Sequence, residues 1–129
     1  MFVFLDIDGV LNTEADWKRL YTLNPKCVKA FVKRYKGSKV VLTSSWKSGY
    51  SPLFSNCSAP IQDLISALKD GGISVVGRIE DGPRGTMIAK YVREHNLKPD
   101  NYVILDDDRS EFDRCPENLI LINSKTGLV

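Results

Sequence analysis

Five short apolar runs recur along the chain of 129 residues, and most of their members are β-branched or aromatic. They are Phe2 to Leu5, Val40 to Leu42, Ile73 to Val76, Tyr102 to Leu105, and Leu119 to Ile122. Continuous apolar runs of this length are typical of strands that are buried on both faces of a parallel sheet. The pattern therefore predicts five buried strands.

Three segments between these runs carry apolar residues at helical spacing. The first is bounded by the cap signals Asn24-Pro25 and Gly37, the second ends at Gly71-Gly72, and the third is followed by a turn that Pro99 closes before the next strand. Their apolar stripes are Val28, Phe31, Val32 and Tyr35; Ile61, Leu64, Ile65 and Leu68; and Ile88, Tyr91, Val92 and His95. Strand and helix alternate throughout, which predicts an α/β fold: a doubly wound, Rossmann-like three-layer sandwich with a five-stranded parallel sheet, forming a single domain over residues 1–129.

Composition restricts the class of protein. The chain is 43% hydrophobic and 26% charged, with a net charge of +2, and it has no apolar run long enough to cross a membrane. Its three cysteines are widely spaced, which argues against a disulfide framework or a structural zinc site. We expect a cytoplasmic protein without a membrane partner. The sequence does not predict an oligomeric state.

Polar residues follow the predicted strands at the edge where doubly wound sheets bind their ligands. Asp6 and Asp8 follow the first strand, Thr43 and Ser44 the second, and Asp106 and Asp107 the fourth, while Arg84 opens the third helix. Close carboxylates repel one another unless a cation neutralises them, and a set of oxygen ligands without His or Cys suits Mg²⁺. The sequence therefore predicts a magnesium site held by aspartates.

The same residues are suited to phosphate transfer. Of the two acids that follow the first strand, one carboxylate could attack phosphorus while the other protonates the leaving oxygen and later activates water. A hydroxyl of Thr43 or Ser44 could bind a phosphoryl oxygen, and cationic Arg84, expected at the surface, could offset negative charge. The alternative is that these acids and hydroxyls have a structural role only and cap turns.

Four motifs carry a family resemblance that covers nearly the whole chain. They are FLDIDGVLN, VVLTSS, Arg84 within DGPRGTMI, and YVILDDD, in that order. In this order they resemble the motifs of the haloacid dehalogenase (HAD) superfamily of phosphatases. The third motif usually has Lys, and Arg84 is a better candidate here than Arg78 or Lys90.

The resemblance implies a role for each matching residue. Asp6 would be the nucleophile and a metal ligand, Asp8 the general acid/base with its carbonyl on Mg²⁺, Asp106 a metal ligand, and Asp107 a residue that assists the metal. We expect the substrate to contact Gly9, Thr43 or Ser44, and Arg84. The predicted activity is Mg²⁺-dependent hydrolysis of a phosphomonoester through an aspartyl-phosphate on Asp6.

Two long segments, Gly9 to Leu23 and Ser44 to Pro60, should overhang the active edge, and neither is large enough for a folded cap domain. An open site resembles family members that act on a phosphorylated nucleic-acid end or on a protein. DIDGVLN with the following serine-rich turn looks similar to HAD domains of RNA repair and polynucleotide end healing, so a nucleic-acid terminal phosphate or a nucleotide is the expected substrate. The alternative is a non-catalytic phosphate-binding or phospho-accepting regulatory module, which would not need Asp8.

Aromatic and basic residues leave two further interpretations open. Trp17 and Trp46 lie in the long segments, where they could stack on a base or pack the loops down. A basic run extends from Lys26 to Lys39, and a solvated helix face is the expected explanation.

Overall fold

The computed structural model describes residues 1–113 and 116–129 and contains every predicted strand. The strands are β1 (Phe2–Leu5), β2 (Lys39–Leu42), β3 (Ser74–Arg78), β4 (Tyr102–Asp106) and β5 (Leu119–Leu121). The helices are α1 (Pro25–Arg34), α2 (Ala59–Lys69) and α3 (Arg84–Glu94). Short 3-10 turns occupy parts of the connections.

The five strands form one parallel sheet in the order β3-β2-β1-β4-β5, which confirms the predicted Rossmann-like α/β fold. The chain builds outward from central β1 to β2 and β3, then returns to the other side of β1 for β4 and β5. The strand order therefore reverses between β1 and β4. Ligands of such sheets bind outside the carboxyl ends of the strands at this point.

Alternate residues of the central strands face two separate cores. Leu5 and Leu42 lie in the core that includes Phe31 of α1 and Leu64 of α2. Phe4 and Ile104 lie in the other core with Ile88 of α3. Each fully buried side chain of this size contributes roughly 2 kcal/mol by leaving water. The two cores fix the sheet between the helix layers and hold the strand ends in register.

The two edge strands correct one prediction. Val76 on β3 is 39% exposed, and Ile120 and Leu121 on β5 are 43% and 53% exposed. Burial on both faces was expected for all five strands, and it is wrong for these two. Each edge strand has a single neighbour, so the helix layers cover it incompletely.

The ends of the helices follow their local signals with one exception. The Asn24 side chain accepts hydrogen bonds from the backbone N–H groups of Lys26 (3.0 Å) and Cys27 (3.4 Å), and Gly37 adopts the left-handed conformation (φ +73°) beyond α1. His95 was expected on the packed stripe of α3. It is instead exposed at the helix C-terminus, where its ring stacks on Tyr91 at 3.8 Å.

The long segments that follow β1 and β2 contain only the short 3-10 turns Glu14–Lys18, Ser45–Gly49 and Phe54–Asn56. No folded cap domain is present in the described part of the chain, as expected. Across residues 1–113 and 116–129, no helix combines the length and the apolar content that a membrane span requires. Cys27 and Cys57 are buried free thiols, and Cys115 lies outside the described residues.

Candidate active site

Three strand ends bring polar residues together at the switch point of the sheet. Leu5 is paired with Leu42 on β2 and with Leu105 on β4. The next residue along each strand is Asp6, Thr43 or Asp106, and all three are buried. The Asp6 N–H donates to Leu105 O at 3.0 Å and the Thr43 N–H donates to Leu5 O at 3.2 Å, so the backbone keeps these ends adjacent.

The acidic cluster consists of Asp6, Asp106 and Asp107, each of which offers a carboxylate oxygen within 4.8 Å of the others. Asp6 is 4% exposed and Asp106 is fully buried. Burial, followed by the negative charge of Asp106, raises the pKa of Asp6 well above its ordinary value. Burial also raises the pKa of Asp106, although Arg84 and the Asp108 N–H oppose the shift. The cluster is therefore short of positive charge.

Arg84 enters the cluster from the first turn of α3. Its Nη1 lies 2.7 Å from Asp106 Oδ2 and 3.9 Å from Asp6 Oδ1. The side chain is only 16% exposed, so the expectation that it lies at the surface is wrong: contact with the buried carboxylates draws the guanidinium inward. The other two candidates for this position form ion pairs elsewhere, Arg78 with Asp81 and Lys90 with Glu80.

Gly9 lies directly after Asp8 in the sharp turn that follows β1. Its φ is +86°, and a Cβ atom built on it would lie 2.2 Å from Asp107 Oδ2. Glycine is required for two reasons. A residue with a Cβ atom rarely adopts this φ, and the Asp107 carboxylate occupies the space that a side chain would fill. The Gly9 N–H donates to Asn12 Oδ1 at 2.8 Å. Its predicted contact with substrate stays a prediction.

Asp8 projects apart from the three clustered carboxylates and is partly exposed. Its Oδ1 accepts hydrogen bonds from Asn12 Nδ2 at 2.9 Å and from Trp46 Nε1 at 3.3 Å. Both donors bind the same oxygen, which leaves the other oxygen of the carboxyl group available. The predicted placement of the Asp8 carbonyl on a metal is not tested by these contacts.

Asn12 is a site residue that the sequence reasoning missed. It is 2% exposed; its Oδ1 accepts from the Gly9 N–H and from Trp17 Nε1 (3.0 Å), and its Nδ2 donates to Asp8 Oδ1 and to Thr22 O (2.7 Å). The buried amide of Asn12 thus holds the turn at Gly9, the carboxylate of Asp8 and the loop at Thr22 in place. Its position directly after the apolar pair of DIDGVLN was the signal available in the sequence.

The two candidate hydroxyls have different environments. Thr43 Oγ1 is buried and has no hydrogen-bond partner among the described residues. Ser44 Oγ accepts from the Trp46 N–H at 3.3 Å and caps the turn Ser45–Gly49. A buried hydroxyl without a partner is costly, which makes Thr43 Oγ1 a donor suited to an incoming ligand.

The two tryptophans have different positions. Trp46 is 2% exposed; its indole bonds Asp8 and its ring packs edge-on against Tyr21 at 5.2 Å. Trp17 is 45% exposed. For Trp46 the packing interpretation is therefore confirmed, whereas the ring of Trp17 remains accessible.

A cleft of about 390 Å³ opens above these residues, and both long segments contribute to it. Its lining residues are Asp6, Asp8, Trp17, Ser44, Ser45, Arg84, Asp107, Asp108 and Glu111. Thr43 lines an adjoining cleft that shares Ser45, Arg84 and Glu111 with it. Five carboxylates face one guanidinium in the larger cleft, so an anionic substrate would be repelled without an added cation. The all-oxygen donor set of the cluster fits Mg²⁺.

Comparison with known proteins supports the same family. The sequence profile described as the HAD domain in Swiss Army Knife RNA repair proteins matches residues 2–129. No curated protein and no solved structure matches the chain. HAD domains in general are phosphatase-type hydrolases and generally use Mg²⁺. With its fold, its motif order and a match over almost its entire length, the chain belongs to the HAD superfamily, as a HAD domain of the RNA repair type.

Proposed function

We propose that residues 1–129 form a single phosphatase domain that removes a terminal phosphate from a nucleic acid in the presence of Mg²⁺. The observation that carries the proposal is the convergence of Asp6, Asp106 and Arg84 with the unpartnered hydroxyl of Thr43 at one edge of the sheet. A nucleophile, a cation and a phosphate-binding donor are the groups that phosphoryl transfer requires.

The acidic cluster would hold the metal. Asp6 and Asp106 supply buried carboxylates, Asp107 a third, and the main-chain carbonyl of Asp8 is the further ligand that we propose. A side-chain hydrogen-bond partner of the Asp6 carboxyl group is another acid, Asp107, and the Arg84 guanidinium is 3.9 Å away. Bound Mg²⁺ supplies the positive charge that the carboxylates and the phosphoryl group need.

Asp6 acts as the nucleophile in this mechanism. An Asp6 carboxylate oxygen forms a bond to phosphorus as the ester P–O bond breaks, and the bonding electron pair leaves with the alcohol oxygen. Asp8 gives its proton to that oxygen. Arg84 offsets charge on Asp6 and on the phosphoryl group, because its guanidinium already lies between the two strand ends.

Asp8 then reverses its role. As a carboxylate it takes a proton from a water molecule, whose oxygen attacks the phosphorus of the aspartyl-phosphate. The acyl P–O bond breaks, inorganic phosphate leaves, and Asp6 and Asp8 return to their starting forms. The hydrogen bonds from Asn12 and Trp46 to Oδ1 orient the carboxyl group for both steps.

Thr43 is the hydroxyl that we assign to the phosphoryl group. It follows β2 beside Asp6, and its Oγ1 lacks any other partner in the described residues, whereas Ser44 Oγ already caps a turn. Thr43→Val should therefore reduce phosphate release more than Ser44→Ala does. The reverse order would assign the contact to Ser44.

The family and the open cleft both support a phosphorylated nucleic-acid end as the substrate. The matching family occurs in RNA repair proteins, and no folded element of the described chain closes over the site. A large substrate can therefore reach Asp6, and the substrate itself would exclude water from the pocket.

Phosphate release from a substrate panel tests the proposal. The panel contains oligoribonucleotides with a 3′- or a 5′-phosphate, the matching DNA oligonucleotides, nucleoside monophosphates, an aryl phosphate and a phosphopeptide, each with Mg²⁺ or with a chelator. We expect Mg²⁺-dependent release that is abolished by Asp6→Asn and fastest with an oligonucleotide. Release of phosphate by the Asp6→Asn variant would contradict the mechanism. No release from any substrate would favour the phosphate-binding module instead.

A further inference from the structure

Trp17 presents an exposed aromatic ring at the mouth of the catalytic cleft. It lines the same cleft as Asp6 and Asp8, and it is 45% exposed although the chain's other tryptophan is almost fully buried. The other lining residues are carboxylates, serines and one arginine. An indole among polar groups leaves apolar surface in water, and a planar ligand would cover that surface.

The indole is held in place before any ligand binds. Trp17 Nε1 donates to Asn12 Oδ1, and the turn that carries it is fixed because Asp16 Oδ2 accepts from the Thr13 N–H (2.9 Å) and from Asn24 Nδ2 (3.1 Å). A ring whose edge is anchored loses little conformational entropy on binding a second ring. Asn12 also bonds Asp8, so the ring stands at a fixed position relative to the general acid.

The next two residues in the sequence are both cationic. Lys18 and Arg19 are exposed, and neither forms an ion pair within residues 1–113 and 116–129. A stacking ring followed by unpaired cations is the combination that binds single-stranded nucleic acid, where the base stacks and the phosphates meet the cations.

We propose that Trp17 stacks on the nucleobase next to the phosphate that the enzyme removes, which makes it a specificity-determining residue. The inference rests on the proposed function because it places the reactive phosphate at Asp6. It adds that the leaving group carries a base, and that the base is recognised by its aromatic face.

The test compares substrates with and without a base in wild type, Trp17→Ala and Trp17→Phe. One substrate is a short oligoribonucleotide phosphorylated at the end, 3′ or 5′, from which wild type releases phosphate, and the other is its counterpart with an abasic terminal residue. Trp17→Ala should lower the ratio of kcat/KM for base-bearing to abasic substrate by about 10-fold. Trp17→Phe keeps a ring but loses the bond to Asn12, and it should retain most of the ratio.

The ratio separates stacking from positioning. If Trp17 acted only through Asn12 and Asp8, each variant would lose activity equally on both substrates, and Trp17→Phe would be as damaging as Trp17→Ala, which would overturn the proposal.

Binding of a fluorescently labelled 3′-phosphorylated oligoribonucleotide gives a readout without turnover. If wild type releases no phosphate from either a 3′- or a 5′-phosphorylated oligonucleotide but its affinity depends on Trp17, stacking stands and the proposed function fails. An affinity that does not depend on Trp17 refutes stacking.

A different observation, the distribution of charge, carries a second inference. Residues 17–62 contain nine of the 18 Lys and Arg residues of the chain and no Asp or Glu. Lys26, Lys29 and Lys33 form an exposed row along α1, as expected for a solvated face, and none has an ion-pair partner in the described residues. Like charges at this spacing repel one another on an isolated helix, and a polyanion would relieve the repulsion.

The position of the lysine row indicates which polyanion it binds. The bond from Asn24 to Asp16 joins the beginning of α1 to the turn that carries Trp17, so the row begins beside the mouth of the cleft. A groove lined by Lys26, Lys29, Ala30, Lys33, Arg34 and Val129 runs along this face. We infer that the row binds backbone phosphates of the same single strand whose end enters the cleft.

Salt-dependent binding of an unphosphorylated single-stranded oligoribonucleotide tests this inference without turnover. The double variant Lys29→Gln/Lys33→Gln is compared with Arg93→Gln/Lys98→Gln, which removes the same charge from exposed positions at and after the end of α3, a helix that packs in the other core. The α1 variant should bind more weakly, and its slope of log affinity against log salt should be shallower by about 0.7 for each phosphate that the row no longer binds. Equal affinities and slopes in the two double variants would refute the inference.

Discussion

Asn12 shows how one buried side chain can hold several parts of a site together. All four of its hydrogen bonds are intramolecular, and they reach the turn at Gly9, the acid Asp8, the ring of Trp17 and the backbone at Thr22. Its amide is the only neutral side-chain type of this shape that both accepts and donates here. Losing the donors would leave Asp8 without its closer partner.

The isosteric change Asn12→Asp tests this role. It keeps the acceptor oxygen but replaces the donor to Asp8 with a second carboxylate, so we expect the free energy of unfolding to fall by about 3 kcal/mol. Urea denaturation measures the change. Asn56→Asp, at an exposed position, makes the same chemical substitution and should cost less than about 0.5 kcal/mol. Equal costs at the two positions would contradict the role assigned to Asn12.

Residue identities were predictable where chemistry alone reveals them. Aspartates directly after apolar strands, and a cation at a helix start, are conspicuous in the sequence, so Asp6, Asp106 and Arg84 could be named before the fold was known. The burial of Arg84 could not be predicted, because it depends on β1 and β4 meeting in space. Asn12 was missed because a single amide in a loop gives no periodic signal.

At the scale of elements, the turn after β1 decides where Asp6 and Asp8, the two acids of the proposed mechanism, lie. Gly9 takes a positive φ and leaves room for the Asp107 carboxylate, so the turn and the loop after β4 interlock. Asp8 can then leave the strand direction and reach Asn12 while Asp6 stays in the cluster. The geometry of the site is therefore sensitive to one Cβ atom.

Gly9→Ala should destabilise the protein for two separable reasons. Gly37 also has a positive φ (+73°), but nothing lies within 4 Å of a Cβ built there. Gly37→Ala should therefore cost only the conformational penalty, about 1 kcal/mol. Gly9→Ala adds displacement of Asp107, and we expect a further loss of about 2 kcal/mol in urea denaturation. Similar losses of unfolding free energy in the two variants would mean that the Asp107 side chain moves aside at little cost.

The elements themselves were largely predictable from local pattern. Apolar runs gave the strands, and the caps at Asn24-Pro25 and Gly37 marked α1 correctly because these signals act within a few residues. The exposed faces of β3 and β5 were not predictable, since strand order is decided by tertiary packing. The prediction for His95 was wrong for a related reason: helical spacing continues to the last turn of α3, where the ring stacks on Tyr91 but stays exposed to solvent.

At the scale of the whole molecule, opposite charges occupy different regions. Carboxylates collect in the cleft at the strand ends, while eight of the nine cations of residues 17–62 line neither that cleft nor the adjoining one; the ninth, Lys47, lines the adjoining cleft and pairs with Asp81. Buried like charges oppose folding, and Arg84 offsets them only in part. Stability and metal binding should therefore be linked.

Mg²⁺ should stabilise the folded protein. At about a hundred times its Kd the ion adds about 3 kcal/mol, so the Tm should rise by about 10 °C relative to chelated protein at matched ionic strength. Without metal, Asp6→Asn should raise the Tm, because it removes a buried negative charge that lies beside the carboxylates of Asp106 and Asp107 and 3.9 Å from the Arg84 guanidinium. The same variant should respond less to Mg²⁺. A wild-type Tm that is insensitive to Mg²⁺ would contradict the metal site.

The most direct test of the central claim is to trap phosphate on Asp6. Asp8→Asn keeps an oxygen that can accept from Asn12 and Trp46 but cannot activate water, so with Mg²⁺ and a reactive aryl phosphate the acyl-phosphate should accumulate. Acid quenching and peptide mass spectrometry would then find one phosphoryl group on the peptide that contains Asp6, and none in the Asp6→Asn/Asp8→Asn variant. Phosphate on another residue, or turnover by Asp8→Asn at the wild-type rate, would contradict the account.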